Sequence, residues 1–108
     1  MISITIFKQG EQYTGFEFKG HAGFAKIGKD IVCAAVSAIV INTANSIEKF
    51  TSDQFSIDEG KNGGYLKMSF SEENSSELKL LLDSMCLGLE KIQEQYGSKY
   101  IELFYKEV

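Results

Sequence analysis

The chain has 108 residues, of which 44% are hydrophobic and 24% are charged, and its formal net charge at pH 7 is −4. This length is typical of one compact domain whose core is large enough to be stable without disulfides or bound metals. The negative charge argues against a general nucleic-acid-binding protein, because such proteins need a basic surface that neutralises phosphates.

Two alternating segments at the N-terminus predict β-strands. Ile2, Ile4 and Ile6 share one face of the first strand, and Phe16 and Phe18 do the same in the second. The first segment lacks both the basic start and the long apolar run of a signal peptide. We therefore expect the domain to begin with a hairpin rather than with a targeting segment.

A glycine-rich loop and a long helix come next. Gly20, Gly23 and Gly28 punctuate the loop, and Asp30, a favoured N-cap residue, marks the expected start of the helix. The helix is expected to run to about Phe50. Its longest apolar stretch is too short to cross a bilayer, so no membrane association is expected.

The C-terminal half repeats the strand and helix pattern. A third strand around Phe55 and a fourth around Met68 are joined by a glycine-rich hairpin. A second, amphipathic helix begins near Ser75 or Ser76 and stops at Gly97. The last predicted strand contains Ile101, Leu103 and Tyr105.

The order ββαββαβ predicts an α+β fold. The strand faces opposite the apolar ones are mostly polar, which is typical of a sheet with one face in solvent. We expect a single two-layer domain over residues 1–108, with one mostly antiparallel sheet and two helices on one face. Two cysteines are too few for a disulfide scaffold, so we expect a cytoplasmic protein with reduced thiols.

One pair of residues has the chemistry of a catalytic site. Cys33 lies three residues after the predicted cap, where free backbone N–H groups and the helix dipole favour a thiolate. The dipole alone shifts a cysteine pKa by only ~0.2–1.5 units, so an efficient nucleophile also needs a base. His21, the only histidine in the chain, is suited to that role. The same N–H groups would stabilise an oxyanion.

Both residues also have ordinary structural interpretations. A single cysteine on an apolar helix commonly fills space in the core, and we assign that role to Cys86, between Met85 and Leu87. One histidine and two cysteines cannot supply the four ligands of a structural zinc site, so no metal or other cofactor is predicted. Cys33 and His21 remain the candidates for catalysis.

Two segments resemble the ribosomal-processing cysteine proteases of Firmicutes and related bacteria: Gly20-His21-Ala22-Gly23 and Asp30-Ile31-Val32-Cys33-Ala34-Ala35-Val36-Ser37-Ala38. The likeness extends over the whole chain, including its length and its order of elements. The resemblance implies that Cys33 and His21 are the catalytic pair, supported by Gly20, Gly23, Asp30 and Ser37. It also implies a homodimer whose substrate is the N-terminal peptide of a large-subunit ribosomal protein.

The first helix supports the homodimer independently. Its first half, from Ile31 to Ile41, is apolar nearly all round, whereas a two-layer domain buries only one stripe of a helix against its sheet. The remaining apolar surface has to meet the second helix or another subunit.

Two other functions and two roles of Asp30 stay open. The protein could be a non-catalytic, ribosome-associated binding module in which Cys33 is structural, or another thiol enzyme such as an acyltransferase or a redox protein. A redox protein would need a second thiol nearby, and Cys86 is in the wrong setting for that. Asp30 either caps the helix or orients His21.

Overall fold

The computed structural model describes residues 1–20, 27–61, 64–71 and 73–108, and at residues 27–30 it describes the backbone. The elements follow one another in the predicted order ββαββαβ. They are β1 (Ile2–Gln9), β2 (Gln12–Lys19), α1 (Ile27–Phe50), β3 (Phe55–Glu59), β4 (Tyr65–Phe70), α2 (Ser76–Tyr96) and β5 (Ile101–Glu107).

The five strands form one sheet in the order β3-β4-β2-β1-β5. Three of the four neighbouring pairs are antiparallel, and the fourth, between β1 and β5, is parallel. The prediction of a mostly antiparallel sheet is therefore confirmed. The parallel pair follows from α2, which carries the chain from β4 across the sheet to the far side of β1.

The core lies on one face of this sheet. Ile2, Ile4 and Ile6 of β1 are at most 2% exposed, whereas Ser3 and Thr5 between them are only half-buried. Both helices pack on the buried face and contribute the other half of the core: Val32, Val36, Val40 and Ile47 from α1, and Leu78, Leu82, Met85 and Leu89 from α2. The prediction of a two-layer domain is confirmed by this arrangement.

The second helix has the predicted ends. The side chain of Ser75 is the N-cap and accepts a hydrogen bond from the backbone N–H of Leu78 at 3.0 Å. Gly97 ends the helix with φ of 94°, a conformation that favours glycine, and its N–H donates to the carbonyl of Gln93 at 2.8 Å. Local capping chemistry was therefore sufficient to place both ends of α2.

The first helix begins earlier than predicted, at Ile27 rather than after Asp30. Asp30 is thus inside the first turn, and its predicted role as the N-cap is wrong. Gly28 made the preceding residues look like loop, but one glycine in a helix costs only about 1 kcal/mol relative to alanine. A helix of 24 residues tolerates that cost because each added residue extends an existing nucleus.

The stretch from Ile31 to Ile41 is too short to cross a bilayer, but the longer segment Ile31–Phe50 of α1 is long and apolar enough by length and composition. In the fold, one face of this helix lies in the core, and Ile31 and Ile41 on other faces are each 54% exposed. The apolar composition therefore belongs to a core helix that also carries apolar residues on its outer surface.

A polar junction attaches the start of α2 to the rest of the domain. The side chain of Asn74 accepts a hydrogen bond from the N–H of Tyr13 at 2.6 Å and donates one to the carbonyl of Tyr13 at 3.0 Å. Its amide group thus pairs with the Tyr13 backbone in the way that the backbone of a neighbouring strand does. The carboxylate of Asp53 accepts the N–H of Ser75 at 2.9 Å. Burial of Asp53 acts to raise its pKa, but the hydrogen bonds from Ser75 and Thr51 outweigh this, and the pKa is lowered.

Asp53 should therefore make the stability of the domain depend on acid pH. A carboxyl whose folded pKa lies below its ordinary value of 3.8 stabilises the fold above that value, and loses this contribution as the pH falls through the folded pKa. Asp53→Asn should cost about 1–3 kcal/mol at pH 6, and the difference from the wild type should shrink towards pH 2–3. Urea unfolding at several pH values measures this, with Asp58→Asn on exposed β3 as the control. A constant difference at all pH values would contradict it.

Candidate active site

Cys33 lies on the side of α1 that borders the core, and it is 9% exposed. Ser37 and Val40 follow it at helical spacing and line a cavity of about 220 Å³ between α1 and the β3–β4 hairpin. The Cys33 side chain is therefore one helical turn from this cavity. A thiol in this position is screened from bulk water yet adjacent to a space that a ligand can enter.

Cys33 is the seventh residue of α1, counting Ile27 as the first. It therefore lies in the second turn, and its predicted place in the first turn is wrong. The free backbone N–H groups of the helix belong to residues 27–30, and the effect of the dipole falls off within the first turn. The helix start contributes less to the reactivity of Cys33 than its sequence position indicated, so a neighbouring base matters more.

Gly20 fixes the point where the chain leaves the sheet towards His21. Its N–H donates to the carbonyl of Gly64 at 2.9 Å. A Cβ atom at Gly20 would lie 2.9 Å from the Cα of Ile2, closer than a real side chain approaches backbone. Glycine is therefore required for the end of β2 to pass the start of β1, and this explains Gly20 without a direct chemical role.

His21 and Gly23 lie outside the described residues, so the geometry of the predicted Cys33–His21 pair is not described. Residue 27 already belongs to α1, and Cys33 lies six residues further on, about 9 Å along the helix axis. Six residues join Gly20 to the helix, and an extended chain of that length reaches about 20 Å. The structure gives the position of Cys33 and of the residue before His21, and the pairing of the two side chains stays a prediction.

Cys86 is buried like Cys33 but has different surroundings. It lies in the middle of α2 at 5% exposure, and the hydroxyl of Tyr13 is 4.0 Å from its sulfur. Burial raises the pKa of the Cys86 thiol, which keeps it protonated and unreactive. The structure confirms that Cys86 fills the core, and the two cysteines are not joined by a disulfide.

Two tyrosine–carboxylate pairs next to Cys86 were not predicted. Tyr13 donates to Asp83, and Tyr105 donates to Glu90. Burial, together with these carboxylates, raises the pKa of both tyrosines. These pairs fasten α2 to β2 and β5, and they surround a buried thiol rather than an open cavity, so we assign them a structural role.

A groove extends from the neighbourhood of Cys33 along α1. The cavity of about 220 Å³ is lined by Phe18, Ser37, Val40, Ile41, Glu59, Gly60, Tyr65 and Leu66. A second cavity, of about 100 Å³, is lined by Ile41, Ala44, Asn45, Glu48, Phe55, Ile57, Glu59 and Leu66. The cavities share Ile41, Glu59 and Leu66, so we treat them as one feature, the α1 groove.

The hairpin wall of the α1 groove was also missed by sequence reasoning. Glu59 and Leu66 lie more than 20 residues from Cys33 in the sequence, and no local pattern connects them to it. Ile57, an apolar residue on the edge strand β3, is 43% exposed in the structure and lines the smaller cavity. Within the described residues, no three side chains of the metal-binding types come together.

Cys33 lies one helical turn before Ser37, which lines the groove, so its thiol is near a space that a ligand can enter. The chain matches the family model described as Cysteine protease Prp over residues 1–102. It belongs to this family and is a cysteine protease. This finding favours the protease over a non-catalytic module and over other thiol enzymes.

Relatives of known name extend over nearly the full chain. The ribosomal processing cysteine protease Prp of Staphylococcus aureus is 34% identical over 105 residues, which are 97% of each chain. The protein of the same name from Bacillus subtilis is 35% identical over 101 residues, 89% of this chain and 90% of the other. A crystal structure of the S. aureus protease with a substrate peptide has a TM-score of 0.88 and 33% identity, and covers 98% of this chain and 100% of that one.

The two thiols should differ in reactivity with iodoacetamide at pH 7. We expect Cys33 to be alkylated at least about tenfold faster than Cys86, because burial keeps Cys86 protonated. His21→Ala should slow the reaction of Cys33 and leave that of Cys86 unchanged. Timed alkylation followed by mass spectrometry of the two cysteine peptides measures both rates. Equal rates at the two cysteines would contradict the assignment.

Proposed function

We propose that this protease removes the N-terminal extension of a large-subunit ribosomal protein, with Cys33 as nucleophile and His21 as base. The observation that carries the proposal is the place of Cys33, one turn from a groove open to an extended peptide. The S. aureus relative is named for ribosomal processing, and its crystal structures contain a substrate peptide and a covalently linked product peptide. A peptide linked covalently to the relative is in keeping with a nucleophile that forms an acyl-enzyme.

The reaction follows the two steps of a cysteine protease. His21 accepts the thiol proton of Cys33, and the sulfur attacks the scissile carbonyl to form a tetrahedral intermediate. His21 then gives the proton to the leaving amine, which leaves the acyl group on Cys33 as a thioester. Water, deprotonated by His21, hydrolyses the thioester and restores the thiol.

The supporting residues position the catalytic pair and the substrate. Gly20 fixes the chain directly before His21 at the end of β2, and we assign to Gly23, two residues after His21, the conformational freedom that lets the histidine approach the helix. Ser37 lies one turn after Cys33, is half-buried and lines the groove, where its hydroxyl can hydrogen-bond the substrate backbone. Asp30 lies three residues before Cys33 in the first turn of α1, where a carboxylate is favoured by the helix dipole.

Cys33→Ala should abolish peptide cleavage and leave the fold intact. Cys86→Ala is the matched control, because it removes the same atom from the core, and it should keep activity while losing about 1–2 kcal/mol of stability. Cleavage is followed by mass spectrometry on a peptide that matches the N-terminus of the ribosomal protein, and stability by thermal unfolding. Full activity of Cys33→Ala would refute the proposal.

Asp30 is proposed to orient His21, since it does not cap the helix. Asp30→Asn keeps the size of the side chain and removes its charge, so thermal stability should change by less than about 1 kcal/mol. Cleavage should fall about tenfold, as expected for one lost charge-assisted contact in the transition state. The pH dependence of kcat/KM should also change, because His21 would lose a neighbouring carboxylate whose negative charge raises the pKa of the imidazole. An unchanged pH profile would leave Asp30 without a role in positioning His21.

The proposed homodimer uses the outer face of α1. Ile31, Ala34, Ala38 and Ile41 are exposed and follow one another at intervals of three and four residues, the spacing of a helix–helix contact. An apolar stripe of this kind in water favours a second copy of the helix. The stripe lies beside the groove rather than inside it, since only Ile41 belongs to both.

Ala38→Glu should convert the dimer to a monomer, because it places a charge in the centre of the apolar stripe. Leu80→Glu, on an exposed position of α2, is the control and should leave the dimer unchanged. Sedimentation velocity at micromolar concentration distinguishes a particle of 12.0 kDa from one of twice that mass. A wild-type protein that sediments as a monomer would refute the homodimer.

The proposed setting is the cytoplasm, where a ribosomal protein is processed. Reduced thiols there keep Cys33 available for catalysis. The net charge of −4 disfavours direct contact with ribosomal RNA, so we propose that the enzyme acts on the peptide without binding nucleic acid.

A further inference from the structure

The solvent face of the sheet, opposite the helices, carries two neighbouring aromatic side chains. Alternation along β1 places Ser3, Thr5 and Phe7 on this face, and Phe7 is half-buried. Parallel pairing sets Phe104 of β5 beside Thr5, and Phe104 is 49% exposed. Single exposed apolar residues are ordinary, but neighbouring ones on one face commonly mark a contact surface.

Two lysines lie beside these aromatic residues. Lys106 of β5 is the register partner of Phe7 and is exposed. The ammonium group of Lys67, on β4, lies 5.5 Å from the centre of the Phe7 ring. Within the residues that the structure describes, the ion pairs join other side chains, so neither lysine has a carboxylate partner. We call Phe7, Lys67, Phe104 and Lys106 the sheet patch.

A β-bulge and a glycine shape the centre of the sheet patch. The register of β1 against β2 shifts after Phe7, which makes Thr14 an extra residue of β2. A Cβ atom at Gly15 would lie 2.5 Å from the carbonyl oxygen of Met68, so glycine is required where β2 passes β4. Because Gly15 has no side chain, Phe7 and Lys67 can meet across β2, although their strands are not neighbours.

The missing side chain leaves a cavity on the solvent face. Its volume is about 240 Å³, and it is lined by Phe7, Thr14, Gly15, Lys67, Ser69 and Val108. Phe7 supplies an apolar wall, and the hydroxyls of Thr14 and Ser69 and the ammonium group of Lys67 can donate hydrogen bonds. A cavity of ~150 Å³ in a protein core is sufficient to bind benzene, so this one admits a bulky apolar side chain.

The strand order sets the distance between the two lysines. Because β2 and β1 lie between β4 and β5, three strand spacings, or about 14 Å, separate Lys67 from Lys106 across the sheet. Four residues of an extended peptide span about 13 Å, and its alternate side chains point to the same side. A peptide that crosses the strands can therefore direct its first and fifth side chains to the lysines and its third to Phe7.

The charges around the sheet patch favour a short acidic segment as its ligand. Asp58 is the register partner of Lys67 on β3, but the Lys67 ammonium group extends the other way, towards Phe7 on β1. Glu17, its partner on β2, is already paired with Lys19 at 3.7 Å. These carboxylates would repel a nucleic-acid backbone that runs across the face, and the lysines would repel a basic ribosomal protein. Two carboxylates on a short peptide meet only the lysines.

We propose that the sheet patch is a docking surface for an acidic segment of another protein, in which a bulky apolar residue stands two positions from an acidic residue on either side. The apolar side chain packs on Phe7 and Phe104, and the two carboxylates pair with Lys67 and Lys106. The patch lies on the face of the sheet that is opposite α1. A partner bound there leaves the α1 groove open.

The test measures the binding of two fluorescein-labelled peptides to the full-length protein by fluorescence polarisation. One is Gly-Glu-Ser-Phe-Ser-Glu-Gly, and the other has glutamine in place of both glutamates. The wild type should bind the glutamate peptide about threefold to tenfold more tightly at low salt, and 0.5 M salt should remove the difference. K67Q/K106Q should lose this preference, whereas F104S should weaken the binding of both peptides. The control K49Q/K99Q removes the same charge from exposed positions outside the patch and should retain the preference.

Several results would overturn the inference. Equal affinity of the wild type for the two peptides, or a preference that K67Q/K106Q retains, would remove the acidic segment as the ligand. Tighter binding of an oligouridylate RNA than of the glutamate peptide, lost in K67Q/K106Q, would make the patch a nucleic-acid surface. A change in the sedimentation of K67Q/K106Q would make it a contact between copies of the chain. K67Q/K106Q should also cleave the ribosomal N-terminal peptide as the wild type does, and a loss of cleavage would assign the patch to the substrate site instead.

Discussion

The burial of one face of α1 against the sheet determines the position of Cys33 and of the α1 residues that line the groove. Val32, Val36 and Val40 are at most 1% exposed, and Ile47 is completely buried. These side chains fix the rotation of the helix about its own axis, because turning it would expose all of them together. With that rotation fixed, Cys33 lies at the edge of the core, and the same edge becomes one wall of the α1 groove.

The other wall depends on contacts far from the helix. The β3–β4 hairpin faces α1 because β4 pairs with β2, and the hydrogen bond from Gly20 to Gly64 joins the end of β2 to the hairpin. The residue that precedes His21 is therefore part of the same rigid edge as the groove. This arrangement connects the residue before His21 to the groove through the sheet.

The two cysteines show how the surroundings, and not the residue type, decide the chemistry. Both are nearly buried, at 9% and 5% exposure. Cys86 lies among side chains of α2 and the sheet, where burial keeps its thiol neutral. Cys33 is on a helix face that continues into an open groove. A substrate can reach the environment of Cys33 but not that of Cys86. A similar degree of burial therefore has opposite consequences for the reactivity of the two thiols.

The sequence by itself determined the elements whose signals are local. Alternating isoleucines identified β1, and Ser75 with Gly97 located both ends of α2, because strand alternation and helix capping act over a few residues. The start of α1 was misplaced, since Gly28 resembles a loop residue unless the stability of the whole helix is considered. The family likeness singled out Cys33 and His21, but no local pattern reveals Glu59 or Leu66. Only the tertiary structure decided that these residues face α1, because the groove arises from strand pairing between distant segments, and that pairing depends on the packing of the entire sheet.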